Sequence, residues 1–363
     1  MAANNAPAQA GKKNQLLILI IAVVVVLAVV VGGAWAIKTR QATANESANA
    51  NGEDTVNIAL VSRGTQGDFL NQWLDGANKE AKRIGANLHI YDAKGDDNQQ
   101  ILDVQSAIAT KPDVILVDHS LEGVTNNVKA ALDAGIPVVG FDSVVNDDRV
   151  VHVSQSDADL SKLITSQLVK DTNGKAEVIY AYVAGFAPLD RRNAVWEKVK
   201  EENPGLKQVA QVGVVNEATA QQTAEQVKAS LQANPNVTAV LAPYDEFAKG
   251  AAQAVDELGL NGKVNVYGVD ISDADIAELK KDNSPWIATA TTDPANDGAV
   301  SVRTAYLAAK KQLGDTKTVT VPPTLVTGDV LREKDITSLS QLVTAFPSLR
   351  TDDLSPVEDA AKQ

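Results

Sequence analysis

From Val56 onward, short runs rich in β-branched residues alternate with longer amphipathic stretches. This alternation restricts the chain to parallel sheets, because parallel neighbours need a crossover between them and a helix supplies it. In the first half the strand-like runs are VNIALV (56–61), NLHIYD (87–92), DVILVD (113–118), PVVGFD (137–142) and VVHV (150–153). Helical periodicity fills 69–84, 97–110 and 122–134, the last closed by Gly135 with Pro137 beyond it. The second half repeats the scheme, with strands AEVIYAYV, QVAQVGVV, VTAVLA, VNVYGVD and WIATATT and helices near 190–202, 217–233 and 245–258. DVILVDHSLEGV parallels VTAVLAPYDEFAKG, and IPVVGFDS parallels VNVYGVDI, so two related lobes are expected rather than one continuous sheet.

Several strands end on an acid: Asp92, Asp118, Asp142 and Asp270. Ligands of open parallel sheets bind outside the carboxyl ends of the strands, which makes these positions candidate ligand contacts; an Asp after a strand also caps the next helix. The chain passes between lobes near Ser154 to Asp159, and KTVTVPPTLVTG (317–328) carries a proline pair suited to another crossing. Several such strands would guide a hinge closure. The expected division is 55–155 plus 294–318 for the N-terminal lobe and 156–293 plus 319–335 for the C-terminal lobe. Residues 336–363 form an extension, in which ITSLSQLVTAF reads as a short helix and the acidic end as solvated or disordered.

Residues 1–15 are polar, Leu16 to Ile37 is an uncharged run of 22 residues, and Lys38 and Arg40 follow. That length matches one membrane-spanning helix. Ala34-Trp35-Ala36 also allows a cleaved export signal, although the run exceeds the usual apolar stretch of one. The expectation is a short cytoplasmic N-terminus (1–15), an anchor or signal (16–37), a flexible tether (38–54), and lobes outside the cell membrane, extracellular or periplasmic.

Acidic residues outnumber basic ones 46 to 33, and no basic stripe is present, which argues against a nucleic-acid partner. With no Cys and three scattered His, no metal site is predicted. No nucleophile elbow, phosphate-cradling loop or dinucleotide fingerprint occurs, so neither catalysis nor a cofactor is expected.

Taken in order, VNIALVSRGTQGDFLNQWLDGANKEAKRIG, DVILVDHSLEGVTNNVKAALDAGIPVVGFDS, DRRNAVWEKV, NPNVTAVLAPYDEFAKGAAQAVDELG and VNVYGVDIS resemble the type 1 periplasmic binding proteins of the ribose-binding family, the sugar receptors of ABC importers. The resemblance covers about residues 56–330. It implies an α/β fold of two Rossmann-like lobes joined by hinge strands, a small neutral polar ligand (a monosaccharide or polyol) clamped between them, and an ABC permease as partner. A ligand-sensing ectodomain that signals through a membrane partner is the alternative. The ligand-facing loop is Thr65 to Leu70, with Phe69 packing on the sugar face. Asp142 would accept two hydroxyls, and Ser143 stands where the family often has Arg. Arg192, with Arg191 as competitor, would grip adjacent oxygens. Tyr244 replaces a common Asn, Asp270 is the second-lobe carboxylate, and Thr292 or Asp293 occupies a hinge position. Asn216 is a further candidate, whereas Trp73, Trp196 and Trp286 are read as packing residues.

Overall fold

The computed structural model describes residues 55–64 and 67–360. The expected cytoplasmic N-terminus, anchor and tether, and Thr65 and Gln66 of the ligand loop, lie outside the described residues. Among the described residues no helix is long and apolar enough to cross a membrane.

The first half folds as β1 (Asn57–Ser62), α1 (Asp68–Arg83), β2 (Asn87–Asp92), α2 (Asp97–Thr110), β3 (Val114–Asp118), α3 (Thr125–Asp133), β4 (Val138–Phe141) and β5 (Val151–Gln155). The second half runs α4 (Asp157–Thr172), β6 (Ala176–Ala181), α5 (Ala187–Glu202), β7 (Leu206–Val212), α6 (Thr219–Ala233), β8 (Val237–Ala242), α7 (Asp245–Glu257), β9 (Asn265–Val269), α8 (Asp273–Lys280) and β10 (Trp286–Thr291). Then follow α9 (Pro294–Ala309), β11 (Thr318–Val321), β12 (Thr324–Thr327), α10 (Gly328–Glu333) and α11 (Leu339–Ala345).

Two sheets form, in the orders β11-β5-β4-β3-β1-β2 and β12-β10-β9-β8-β6-β7. Apart from the edge strands β11 and β12, the second order is the first with every strand advanced by five. This is the structural counterpart of the internal sequence repeat. In each sheet the order reverses beside the first strand of its half, which is where ligand crevices open in such folds. The ladders are parallel, except that β12 pairs antiparallel with β10. Central strands such as VILVD are buried along their whole length, as expected for a sheet covered on both faces.

The chain changes sheet after Gln155, after Thr291 and between Val321 and Thr324. The last change falls later than expected, since residues 318–321 pair with β5 in the first sheet. Pro322 and Pro323 cannot donate to a ladder, so the strand runs up to them and stops there. After the second change, α9 returns to the first lobe and lies on α1 with backbones touching. A Cβ at Gly76 would sit 2.0 Å from the Ala295 carbonyl oxygen, and one at Gly298 2.0 Å from that of Trp73.

Two further expectations are corrected. The segment Asp273–Lys280, to which the sequence reading assigns no element, is a helix whose N-cap Ser272 accepts from the Asp275 N–H. The C-terminal segment, through residue 360, is docked although its acids face solvent: Leu349 is buried in the second lobe's core, and Leu354 and Val357 pack on that of the first. Arg303 donates to the carbonyls of Thr351 (2.7 Å) and Leu354 (3.0 Å), and Arg83 to that of Val357 (2.9 Å). Apolar anchors and satisfied carbonyls hold an acidic segment whose composition alone reads as disordered.

Candidate ligand-binding cleft

Both sheets direct their strand ends at one cavity of about 280 Å³. That is near the low end for small-molecule sites, roughly 300 Å³, and suits a ligand of monosaccharide size. Three strands end on a non-glycine residue with left-handed backbone facing it: His119 (φ 44°), Asp142 (φ 44°) and Asp270 (φ 72°). Such backbone is unfavourable for residues with a Cβ, and it persists where surrounding structure enforces it, commonly at binding sites. Here the neighbouring strand does so: Asp142 N–H donates to the Val153 carbonyl at 3.1 Å, and Asp270 N–H to that of Ala290 at 2.9 Å. The two carboxylates hold equivalent places in the repeat.

Between them lies Arg192, buried at the start of α5. Its Nε donates to Asp157 Oδ1 (2.8 Å) and Nη1 to the Pro243 carbonyl (2.8 Å) and Asp270 Oδ2 (3.1 Å). Nη2 donates to Asp270 Oδ1 (3.3 Å) and Gln155 Oε1 (3.2 Å). All five N–H groups therefore have protein acceptors, and one of these, Gln155, ends the crossing strand from the other lobe. Arg191 is half-exposed and does not line the cavity. It too bridges the lobes, donating to Asp157 Oδ2 (2.7 Å) and Asp142 Oδ1 (2.9 Å).

Three buried carboxylates thus share two guanidinium groups. Burial, then the charge of Asp157, pushes Asp142 up to about 7 against the opposing pull of His119 and the two arginines. Burial likewise raises Asp270, with Arg192 opposing it. The cleft has no surplus of cations for phosphate or a dicarboxylate.

Aromatic and aliphatic groups form part of the remaining wall, beside polar residues such as Arg63, Asn216, Glu217 and Glu246. Phe69, Phe186, Pro188, Leu189, Val215 and Tyr244 line the cavity. The Arg63 guanidinium lies 4.8 Å from the Phe186 ring centre, a cation–π contact across the two lobes. Lys249 donates to Asp68 of the other lobe at 2.8 Å. Gly67 closes on Tyr244 with φ 86°; a Cβ there would sit 2.8 Å from the Tyr244 hydroxyl.

Of the residues singled out in the sequence, Phe69, Asp142, Arg192, Asn216, Tyr244 and Asp270 line this one cavity, and Ser143 and Thr292 do not. Ser143 Oγ donates to the Phe141 carbonyl (2.9 Å) and accepts from Ser120 N–H (3.2 Å), tying two strand ends together behind the wall. Thr292 is buried and donates to Asp297 Oδ2 at 2.6 Å, while Asp293 caps α9 through Ala295 N–H at 2.9 Å. Asn216 lines the cavity with its amide engaged locally: Oδ1 accepts from Ala218 N–H (2.8 Å) and Nδ2 donates to Gln222 (3.2 Å). Trp73, Trp196 and Trp286 are fully buried packing residues. Sequence reasoning missed Gln155, Phe186, Arg63 and His119. The last was findable, since it follows DVILVD at a strand end as Asp142 follows PVVGF.

A crevice between two repeated α/β lobes, floored by opposed strand-end carboxylates and walled by aromatic rings, defines a two-lobed receptor for a small polar solute. Residues 58–313 match the periplasmic binding protein domain family, and the chain belongs to it. This is a family of transporter solute-binding proteins, not of enzymes. The chain is 28% identical to the ribose import binding protein of Escherichia coli K12, over 72% of this chain and 87% of the relative. Among solved structures it resembles the 5-methylthioribose transporter solute-binding protein of Thermotoga lettingae in complex with 5-methylthioribose, at 39% identity and TM-score 0.79, covering 81% of this chain and 93% of that one. It also resembles an ABC transporter solute-binding protein of Agrobacterium vitis with bound allitol, at 26% identity and TM-score 0.70, covering 78% and 98%.

Proposed function

We propose that this protein is the extracytoplasmic solute-binding protein of an ABC importer, and that it captures a neutral monosaccharide or polyol by closing its lobes. The observation that carries this reading is the pairing of Asp142 and Asp270, one from each lobe, in a cavity also lined by the rings of Phe69, Phe186 and Tyr244. A sugar has hydroxyls that donate to carboxylates and an apolar C–H face that packs on rings. The site residues are Phe69, Asp142, Tyr244 and Asp270, with Arg192 holding Asp270 in place. The partner is an ABC permease in the membrane, and the apolar run 16–37 anchors or exports the lobes.

The finer ligand reading is a pentose with an apolar substituent at its exocyclic carbon, of which 5-methylthioribose is the example. The stretch Phe186, Pro188 and Leu189 with Val215 supports it, because a methylthio group needs an apolar wall that unsubstituted ribose does not. Calorimetric titration of the full chain with 5-methylthioribose, D-ribose, D-xylose and allitol tests both levels. Binding of 5-methylthioribose at least tenfold tighter than D-ribose is expected. Equal affinities would remove the substituent, and no binding by any of the four would remove the sugar.

A further inference from the structure

We propose that His119 is a ligand-contacting residue that works as a pair with Asp142 to read one hydroxyl of the bound solute. The inference rests on reading the cavity as a sugar site, and it adds a contact that neither the sequence motifs nor the carboxylate pair requires.

The backbone places the two side by side. Asp118 of β3 is in register with Phe141 of β4, so His119 and Asp142 are the next residues on adjacent strands, and His119 N–H donates to the Phe141 carbonyl at 2.9 Å. Both take left-handed backbone at the strand end, and both line the cavity. The imidazole is held edge-on between two rings, with centres 6.4 Å from Phe69 and 5.4 Å from Phe141.

Each residue has a buried polar atom without a hydrogen-bond partner among the described residues: Nδ1 of His119 and Oδ2 of Asp142. Buried polar atoms are nearly always bonded, so such orphans beside a cavity point to a missing partner. Asp142 Oδ1 is occupied by Arg191, which leaves Oδ2 for something else. His119 Nδ1 faces Asp118 Oδ1 at 3.9 Å, an ion-pair distance rather than a hydrogen bond. Nδ1 is therefore the ring nitrogen left for the ligand, as acceptor when it is unprotonated and as donor when the ring is charged. A hydroxyl both donates and accepts. It therefore suits a pair that carries one proton between them: it donates to one member and accepts from the other.

The surrounding charges keep this pair near neutrality. Facing His119 are Asp118 on its own strand, Arg63 after β1 and Asp142 after β4. Burial disfavours the charged ring, but Asp118 and Asp142 outweigh it and raise its pKa, with Arg63 opposing. Facing Asp142 from the second lobe are Asp157, Arg191 and Arg192, and its carboxyl is pushed up to about 7, chiefly by burial. Below this window both members are protonated and the acceptor is lost. Above it both are deprotonated and the donor is lost.

Calorimetric titration of the full chain with 5-methylthioribose and D-ribose, repeated from about pH 5.5 to about pH 9, is the test. Wild type should bind most tightly near neutrality and more weakly on both sides. His119→Gln, whose amide donates without titrating, should lose the alkaline decline, and His119→Phe should bind about tenfold more weakly at neutral pH. Superimposable pH profiles for wild type and His119→Gln would overturn the proposal. If neither sugar binds, the sugar reading fails separately, and the pair is examined in the ligand-free chain by NMR titration of the His119 ring, assigned with His119→Gln. Asp142→Asn should lower the midpoint of that titration; an unchanged midpoint overturns the pairing.

Discussion

Arg192 donates to both carboxylate oxygens of Asp270, at 3.1 and 3.3 Å, in the wall of the cleft. A planar fork against a carboxylate fixes the orientation of both groups. In the binding role proposed above, the part of the arginine is to aim Asp270. Removing one partner of a buried ion pair strands the other, which typically destabilises by roughly 3–5 kcal/mol. Arg192→Ala should show a loss of this size in urea unfolding, because Asp270 loses its counter-charge and Asp157 keeps only the half-exposed Arg191. Arg191→Ala, at a half-exposed position, should lose far less.

The raised pKa of Asp142 has a definite sign for stability. Its ordinary value is 3.8 and its folded value about 7, so between these limits the folded state binds the proton that the unfolded state has released. Stability associated with this group is fully present below the unfolded value and is lost as pH rises through about 7. Asp142→Asn should therefore raise the melting temperature relative to wild type at pH 8 while leaving it nearly equal at pH 4, while abolishing sugar binding at both. A melting-temperature difference independent of pH would show that the carboxyl is not perturbed.

Much of this architecture was legible in the sequence, and the reasons differ by element. The strands were legible because fully buried parallel strands are nearly continuous apolar runs, such as VILVD. The repeat exposed the equivalence of Asp142 and Asp270 because it preserves strand ends. Side-chain direction was not legible. Ser143 and Thr292 lie within one or two residues of cavity-lining or strand-end positions, yet each turns to a nearby acceptor, Phe141 O or Asp297. Phe186 and Arg63 come from different lobes, so nothing local signals their contact. Helix α8 escaped because DADIAELK is short and weakly patterned.

Gly67 is required by both its backbone and its neighbour. With φ 86° and a Cβ position 2.8 Å from the Tyr244 hydroxyl, Gly67→Ala should hinder lobe closure and weaken ligand binding, by roughly 1–3 kcal/mol if the strain is borne in full. Adding Tyr244→Phe removes the clash and leaves the strained backbone, so the double variant should recover only part of the affinity. Full recovery would assign the whole effect to the hydroxyl.

The C-terminal strap makes a fourth connection between the lobes. It leaves the second lobe at Leu349, whose carbonyl accepts from Asn296 of α9 at 2.9 Å, and ends against α1 and α9 of the first lobe. Arg303 is buried there among Glu80 Oε1 (3.1 Å) and the carbonyls of Thr351 and Leu354. Ending the chain after Arg350 deletes both carbonyls, and a hydrogen bond to a charged group contributes roughly 1.5–3 kcal/mol. The truncated chain should therefore lose roughly 3 kcal/mol or more in urea unfolding. Asp352→Ala and Asp353→Ala, which alter only exposed acids of the same segment, should be nearly neutral. If the tail were held by charge instead of by Leu354, Val357 and its carbonyls, the ranking would reverse, with the two alanine variants losing stability and high salt releasing the strap.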